Sequence, residues 1–176
     1  PASILDVPDI LDRVFLVNGF SKIYAMTGWR LGYGVVPADT FPSIDLFINN
    51  SVSSTATFTQ RAALEAFTPE TAKETAQMVA EFRKRRDVFA DGLNAIPGIR
   101  CLKPLGAFYL FPNISGVGLS SEEFANRLLS EAGIAALPGT AFGDCGEGYL
   151  RFSFANSLAN IESALDRVRT FVGTCT

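Results

Sequence analysis

Two short apolar runs near the start of the chain constrain its folding more than any other feature. Arg13 to Phe20 reads RVFLVNGF, and its FLV centre is apolar without a helical stripe, the pattern of a strand buried on both faces. Leu31 to Val36, marked out by Gly32, Gly34 and Pro37, reads as a second strand. The ten residues between the two runs are too few for a helical crossover, so the second strand is expected to return antiparallel. Two such strands do not make a sheet by themselves, because each needs neighbours for its backbone groups and covering layers for its side chains. Partner strands are expected from a preceding N-terminal segment or from another chain.

Helical patterns follow. Asp39 to Asn50 carries Phe41, Ile44, Phe47 and Ile48, and Thr57 to Phe67 continues after the polar break SVSSTAT. The spacing predicts a long helix from Pro69 to Ile96, with Thr68 as its cap, apolar residues at a helical rhythm and Pro97-Gly98 as its stop. Beyond it, residues 99–103, 108–111, 134–137 and 149–155 read as short strands separated by Pro/Gly turns. Ser121 to Ala132 reads as a helix with Ser120 and Glu123 as a capping box, and Leu158 to Phe171 as a last helix with Ile161, Leu165, Val168 and Phe171 on one face. Mixed elements of this kind make an α/β or α+β layer structure. The organisation predicted is an incomplete first domain over residues 1–68 and a second over 69–176, which contains the long helix.

Composition narrows the function. The chain has 176 residues, of which 48% are apolar, and a net charge of -3, so it can fill a core and has no charge bias towards nucleic acid or an anionic membrane. No apolar run approaches the roughly 20 residues that span a bilayer, and no N-terminal targeting pattern is seen, so a soluble, cytoplasmic protein is expected. Cys101, Cys145 and Cys175 are odd in number and irregular in spacing, which suits reduced thiols and assigns them no role. The absence of histidine removes Ser-His-Asp and Cys-His systems and His-ligated zinc, leaving Lys, Tyr, Asp, Glu or a cofactor for acid/base work.

The chemistry concentrates in NGFSKIYAMTGWRLGY, residues 18–33. A lysine at the end of a buried strand, Lys22, is costly as a free ammonium and suits Schiff-base formation. Ser21 beside it can donate a hydroxyl hydrogen bond, and Arg30 offers the planar fork that binds phosphate at two points. Small residues at Gly19, Ala25, Gly28 and Gly32 let backbone approach a ligand closely. The same residues also fit a plainer account, in which Lys22 holds its amine in water and Arg30 pairs with a surface carboxylate.

The run from Ser21 to Tyr33, SKIYAMTGWRLGY, resembles the pyridoxal-phosphate attachment signature of the class I/II aminotransferases, a fold type I family. Gly106-Ala107-Phe108-Tyr109 with Pro112 resembles a small-domain hairpin of these enzymes. Pro138-Gly139-Thr140-Ala141-Phe142-Gly143 resembles their PG-x-x-FG turn, and Tyr149-Leu150-Arg151-Phe152-Ser153 the strand bearing a substrate-carboxylate arginine. The resemblance covers nearly the whole chain in the family's order. It implies the last strands of a large-domain sheet followed by an α+β small domain, with pyridoxal 5'-phosphate as cofactor and an amino acid and a 2-oxo acid as substrates. By the same token Lys22 would hold the cofactor covalently and carry the proton, Ser21 and Arg30 would hold its phosphate, and Arg151 would clamp the substrate α-carboxylate. The alternative for Arg151 is an arginine on an exposed strand face. Tyr24 and Tyr33 read more simply as core aromatics. Ser51 to Thr57 falls where family members often approach the partner subunit's site, and a plain polar loop fits equally.

The family's glycine-containing phosphate turn, its ring-stacking aromatic, the asparagine and tyrosine at the ring oxygen and the aspartate at the ring nitrogen have no counterpart in these residues. The expectation is accordingly a fragment, inactive alone, of a longer homodimeric enzyme. Two other readings stay open: a different fold type I reaction (elimination, decarboxylation or cyclisation), and a non-catalytic interaction module derived from such an enzyme.

Overall fold

The computed structural model describes residues 3–175. By its internal contacts the chain divides into Pro1–Gln77 and Met78–Thr176, and the division falls inside the long helix. The sequence places its domain boundary at the start of that helix, Pro69.

In the first unit, β1 (Leu16–Gly19) and β2 (Gly32–Val35) pair antiparallel, with Leu16 opposite Val35 and Gly19 opposite Gly32, as the short connection requires. Gly32 is needed there, since a Cβ would fall 2.9 Å from the Asn18 carbonyl oxygen. The connection holds α1 (Phe20–Ile23) and a 3-10 turn at Thr27–Trp29. Helices α2 (Phe41–Ser51) and α3 (Thr57–Ala62) follow, and α3 runs into a 3-10 turn, Ala63–Phe67. Phe20 anchors a small core with Ala63 and Ala66, against which Tyr24, Met26 and Leu31 pack. The apolar side chains of the two strands are left uncovered. Among the described residues β1 and β2 pair only with each other, so Val17 is 81% exposed. A two-stranded ribbon has no second layer to cover it.

Helix α4 (Pro69–Asn94) begins where Pro69 is pre-set for a first helical turn, and the Thr68 hydroxyl accepts a hydrogen bond from the Thr71 N–H at 3.3 Å. In the second unit its Phe89, Ala90 and Leu93 enter a continuous core. The other contributors include β3 (Tyr109–Leu110), α5 (Ser121–Ala132), β5 (Leu150–Ser153) and α6 (Leu158–Cys175), while β4 (Leu137–Pro138) adds a strand outside the core. The strands form one antiparallel sheet in the order β3-β5-β4. Phe152 on its inner face meets Phe89 edge-on at 5.5 Å, and Phe124 of α5 meets Phe171 of α6 at 5.1 Å. No helix among the described residues is long and apolar enough to cross a membrane.

Three local expectations change. Residues 99–103 form no strand, because the Asn94 side-chain amide takes both backbone groups of Cys101, at 2.8 and 2.9 Å, and only Arg100 bridges to Asn113. The capping box of α5 is half made. Ser120 accepts from the Glu123 N–H at 3.2 Å, while the Glu123 carboxylate faces Arg127 one turn on, at 3.9 Å. Helix α6 extends past Phe171 because Val172 still finds the core.

Gly98 and Gly116 cross at their backbones, and a Cβ on Gly116 would lie 2.7 Å from the Gly98 Cα. Backbone cannot step aside as a side chain can, so Gly116→Ala is expected to destabilise by about 1–3 kcal/mol. Gly106→Ala, with open space around it, should cost less than about 0.5 kcal/mol, and urea midpoints of the two variants give the comparison. Burial also raises the Cys101 thiol from 9.0 to about 11, whereas Cys145 is exposed. The folded value exceeds the unfolded one, so this thiol's contribution to stability is whole below pH 9.0 and is lost as pH rises towards 11. Near neutral pH, iodoacetamide should label Cys145 at least about tenfold faster than Cys101, read by peptide mass spectrometry.

Candidate active site

The first unit places Ser21 and Lys22 on α1, directly beyond β1. The burial of Phe20 and the Phe20 N–H to Leu31 carbonyl bond, 3.1 Å, fix this short helix, and its geometry turns the next two residues outward. Ser21 is half-buried and Lys22 exposed. The desolvation expected of a lysine at a buried strand end therefore does not arise from the described residues. Asn18 orders the approach: its side-chain Oδ1 accepts from the Gly19 N–H at 2.8 Å, and its side-chain Nδ2 donates to the Tyr33 hydroxyl at 3.2 Å. Tyr24 lies against Phe20, ring centroids 5.5 Å apart, in the core role the sequence suggests.

From α1 the chain turns through Ala25, at φ 54°, and the 3-10 turn ends on Arg30, at φ 52° and ψ 48°. A left-handed conformation costs a non-glycine residue about 1–2 kcal/mol, and such strain persists only where surrounding structure enforces it. Arg30 Nη1 donates to the Thr27 carbonyl at 3.1 Å, which closes the turn and leaves most of the guanidinium donors outward. No carboxylate among the described residues lies within ion-pair distance of Arg30, so the surface-pair account is not what the structure contains. Arg30 borders an open cleft of about 760 Å³ with Gly28, Trp29, Ser54, Thr55 and Thr59 among its walls. Ser21 and Lys22 do not line it. The cleft combines the Arg30 guanidinium with the hydroxyl-bearing residues Ser54, Thr55 and Thr59, a set that fits an anion such as a phosphate. Ser54 and Thr55 belong to the polar stretch Ser51 to Thr57, and the fold sets them beside Arg30.

The second unit carries Arg151 on β5. Alternation decides its direction: Leu150 and Phe152 are buried, so Arg151 and Ser153 take the other face. Its guanidinium carbon lies 4.4 Å from the Tyr109 ring centroid and 4.6 Å from that of Phe142. No carboxylate among the described residues pairs with it. In the sequence Tyr109 and Phe142 stand out only as parts of motifs. Strand register was the signal that could have placed Tyr109, which faces Ser153 across β3 and β5. Nothing local in the sequence signalled Phe142, since the turn that carries it is shaped by tertiary contact. Gly139 and Gly146 lie so close that a Cβ on either would collide with the other's carbonyl.

Ser121 is a further supporting residue that the sequence did not reveal. It is fully buried, and its hydroxyl accepts from the Gly148 and Tyr149 N–H groups at 2.8 and 3.1 Å, while its own N–H donates to Glu147 at 2.9 Å. The start of α5 thereby fixes the entry to β5, two residues before Arg151.

The family model described as "Aminotransferase class I and II" matches residues 2–168. An aspartate aminotransferase of Pyrococcus horikoshii is 42% identical over 158 residues, 89% of this chain and 40% of the relative. An aromatic-amino-acid aminotransferase of Thermococcus litoralis is 39% identical over 94% of this chain and 43% of its own length. The crystal structure of an aromatic aminotransferase from Pyrococcus horikoshii superposes with a TM-score of 0.92 at 38% identity, covering 98% of this chain and 46% of that one. The chain thus spans less than half the length of the relatives it matches.

Ser121→Ala would leave the buried Gly148 N–H without its acceptor, while the Tyr149 N–H keeps the Gly146 carbonyl at 3.2 Å. It is expected to cost about 1–3 kcal/mol in a urea titration, where a surface change such as Ser130→Ala costs less than about 0.5.

Proposed function

Because this chain belongs to the class I and II aminotransferases, we propose that it supplies the cofactor lysine and the carboxylate-binding arginine of an enzyme that moves an amino group from an amino acid to a 2-oxo acid. The observation that carries the reading is the state of its two arginines: Arg30 and Arg151 each present a guanidinium with no carboxylate partner among the described residues. Unspent guanidinium forks are suited to ligand anions, one a phosphate and one a carboxylate.

Pyridoxal 5'-phosphate, when bound, supplies an aldehyde that condenses with amines and a ring that withdraws electrons from the adjacent carbon. Lys22 Nζ would be the amine that holds it, and as a free amine it would be the base that takes the proton from the substrate α-carbon and gives one back. The Ser21 hydroxyl and the Arg30 guanidinium would hold its phosphate. Left-handed Arg30 brings its donors to this task at a local backbone cost that the turn around it offsets. Arg151 fixes the substrate through its α-carboxylate, which orients the bond to be broken.

In this reading residues 1–68 complete a cofactor-binding domain and residues 69–176 form the small domain. The protein acts as a cytoplasmic homodimer, a reading supported by three free cysteines and by the uncovered apolar side chains of the first unit, such as Val17 and Phe58.

The test is covalent trapping. Full-length protein incubated with pyridoxal phosphate and reduced with borohydride should carry the label on Lys22, and Lys22→Ala should lose both the label and at least about a thousandfold in transamination rate. Specific label on another lysine, or full activity in Lys22→Ala, would reject the assignment.

A further inference from the structure

Arg151 is held in an unusual way for an arginine that has to meet an anion: by two rings, with no hydrogen bond or ion pair to protein groups among the described residues. The rings come from opposite flanks of β5, the central strand of β3-β5-β4. Tyr109 belongs to β3, in register with Ser153, and Phe142 belongs to the turn that leaves β4, whose Leu137 is in register with Arg151. They make no ring contact with each other, yet each centroid lies within 4.6 Å of the same guanidinium carbon.

We propose that Tyr109 and Phe142 are positioning residues for Arg151, and that they make its site selective for a planar carboxylate presented edge-on. A guanidinium has two weakly hydrated faces and a rim of N–H donors. Rings attract the faces through their quadrupoles and leave the rim bare. The side chain thus loses its rotamer freedom before ligand arrives, without an acidic partner that the ligand would have to displace. A lysine cannot take this place, because an ammonium has no plane for the rings to fix. Phe142 is itself positioned by the close approach of Gly139 to Gly146 and by an edge contact with Phe111, 6.1 Å between centroids. That contact makes the turn part of the device.

The proposal rests on Arg151 being the carboxylate site, so the experiment separates the two. In the full-length protein loaded with cofactor, the binding of propionate and of 3-phenylpropionate, carboxylates without an amino group, is measured by calorimetry. KM and kcat are measured for the amino donor. Phe142→Leu and Tyr109→Leu are each expected to weaken carboxylate binding about threefold to thirtyfold and to raise KM by the same factor, with kcat changing less than about threefold. Phe142→Tyr, which keeps the ring, should restore binding to within about twofold of native, which separates positioning from a folding defect. In an Arg151→Lys background Phe142→Leu should have no further effect, because the rings act through the guanidinium. Native carboxylate affinity in both leucine variants, with affinity lost in Arg151→Lys, overturns the positioning role and leaves Arg151 as the carboxylate site. Native affinity in Arg151→Lys overturns both.

Discussion

The burial of Leu150 and Phe152 in the short central strand β5 is the interaction on which the second unit depends. These two side chains point into the helical layer, where Phe152 meets Phe89 of α4. Side chains alternate across a strand, so packing them inward commits Arg151 to the opposite face. A strand of four residues cannot slip by one without exchanging a buried phenylalanine for an arginine, a change that would bury a charge without a partner. The direction of Arg151 is thus enforced by the hydrophobic core on the other side of its own strand.

The strand is held at its entry by a different kind of force. Fully buried Ser121 meets two backbone N–H groups of the turn before β5, and Glu147 from the same turn meets the start of α5. Polar groups with no access to water must be paired within the protein, so these bonds specify one position for the turn where apolar contact would tolerate several. Close glycine approaches at 98 and 116 and at 139 and 146 act similarly. They allow backbones to touch where a single methyl would separate them.

The first unit has another logic. Its anchor is Phe20, whose ring meets Tyr24, Tyr33 and Phe67 within 6 Å, and its strands pair only with each other among the described residues. The energy available from so small a core is limited. The unit nonetheless keeps Arg30 left-handed and closes the turn with a side-chain hydrogen bond. Local hydrogen bonding and one buried aromatic are enough to shape the segment between β1 and β2.

Much of this was legible in the residues. The long helix from Pro69 and the helices near 121–132 and 158–171 follow from caps, stops and 3.6-residue spacing, and the hairpin of β1 and β2 follows from a connection too short to cross over. The motif around Lys22 identified the family, because many residue types at fixed spacing leave few alternatives. Strand pairing at 99–103 was not legible, since a side chain, Asn94, took the backbone groups that a strand would have used. The apolar run of β1 is legible as a strand that needs cover, and the sequence places that cover outside these residues. Sequence alone therefore determined the helices, the β1–β2 hairpin, the family and the identity of Lys22, Ser21, Arg30 and Arg151 as candidates, because helix periodicity and motif spacing are local properties of the chain. Only the tertiary structure decided that Arg30 faces the cleft with Ser54 and Thr55, and that Arg151 stands between Tyr109 and Phe142. Those neighbours are brought together by register and by core packing, which act between residues far apart in sequence.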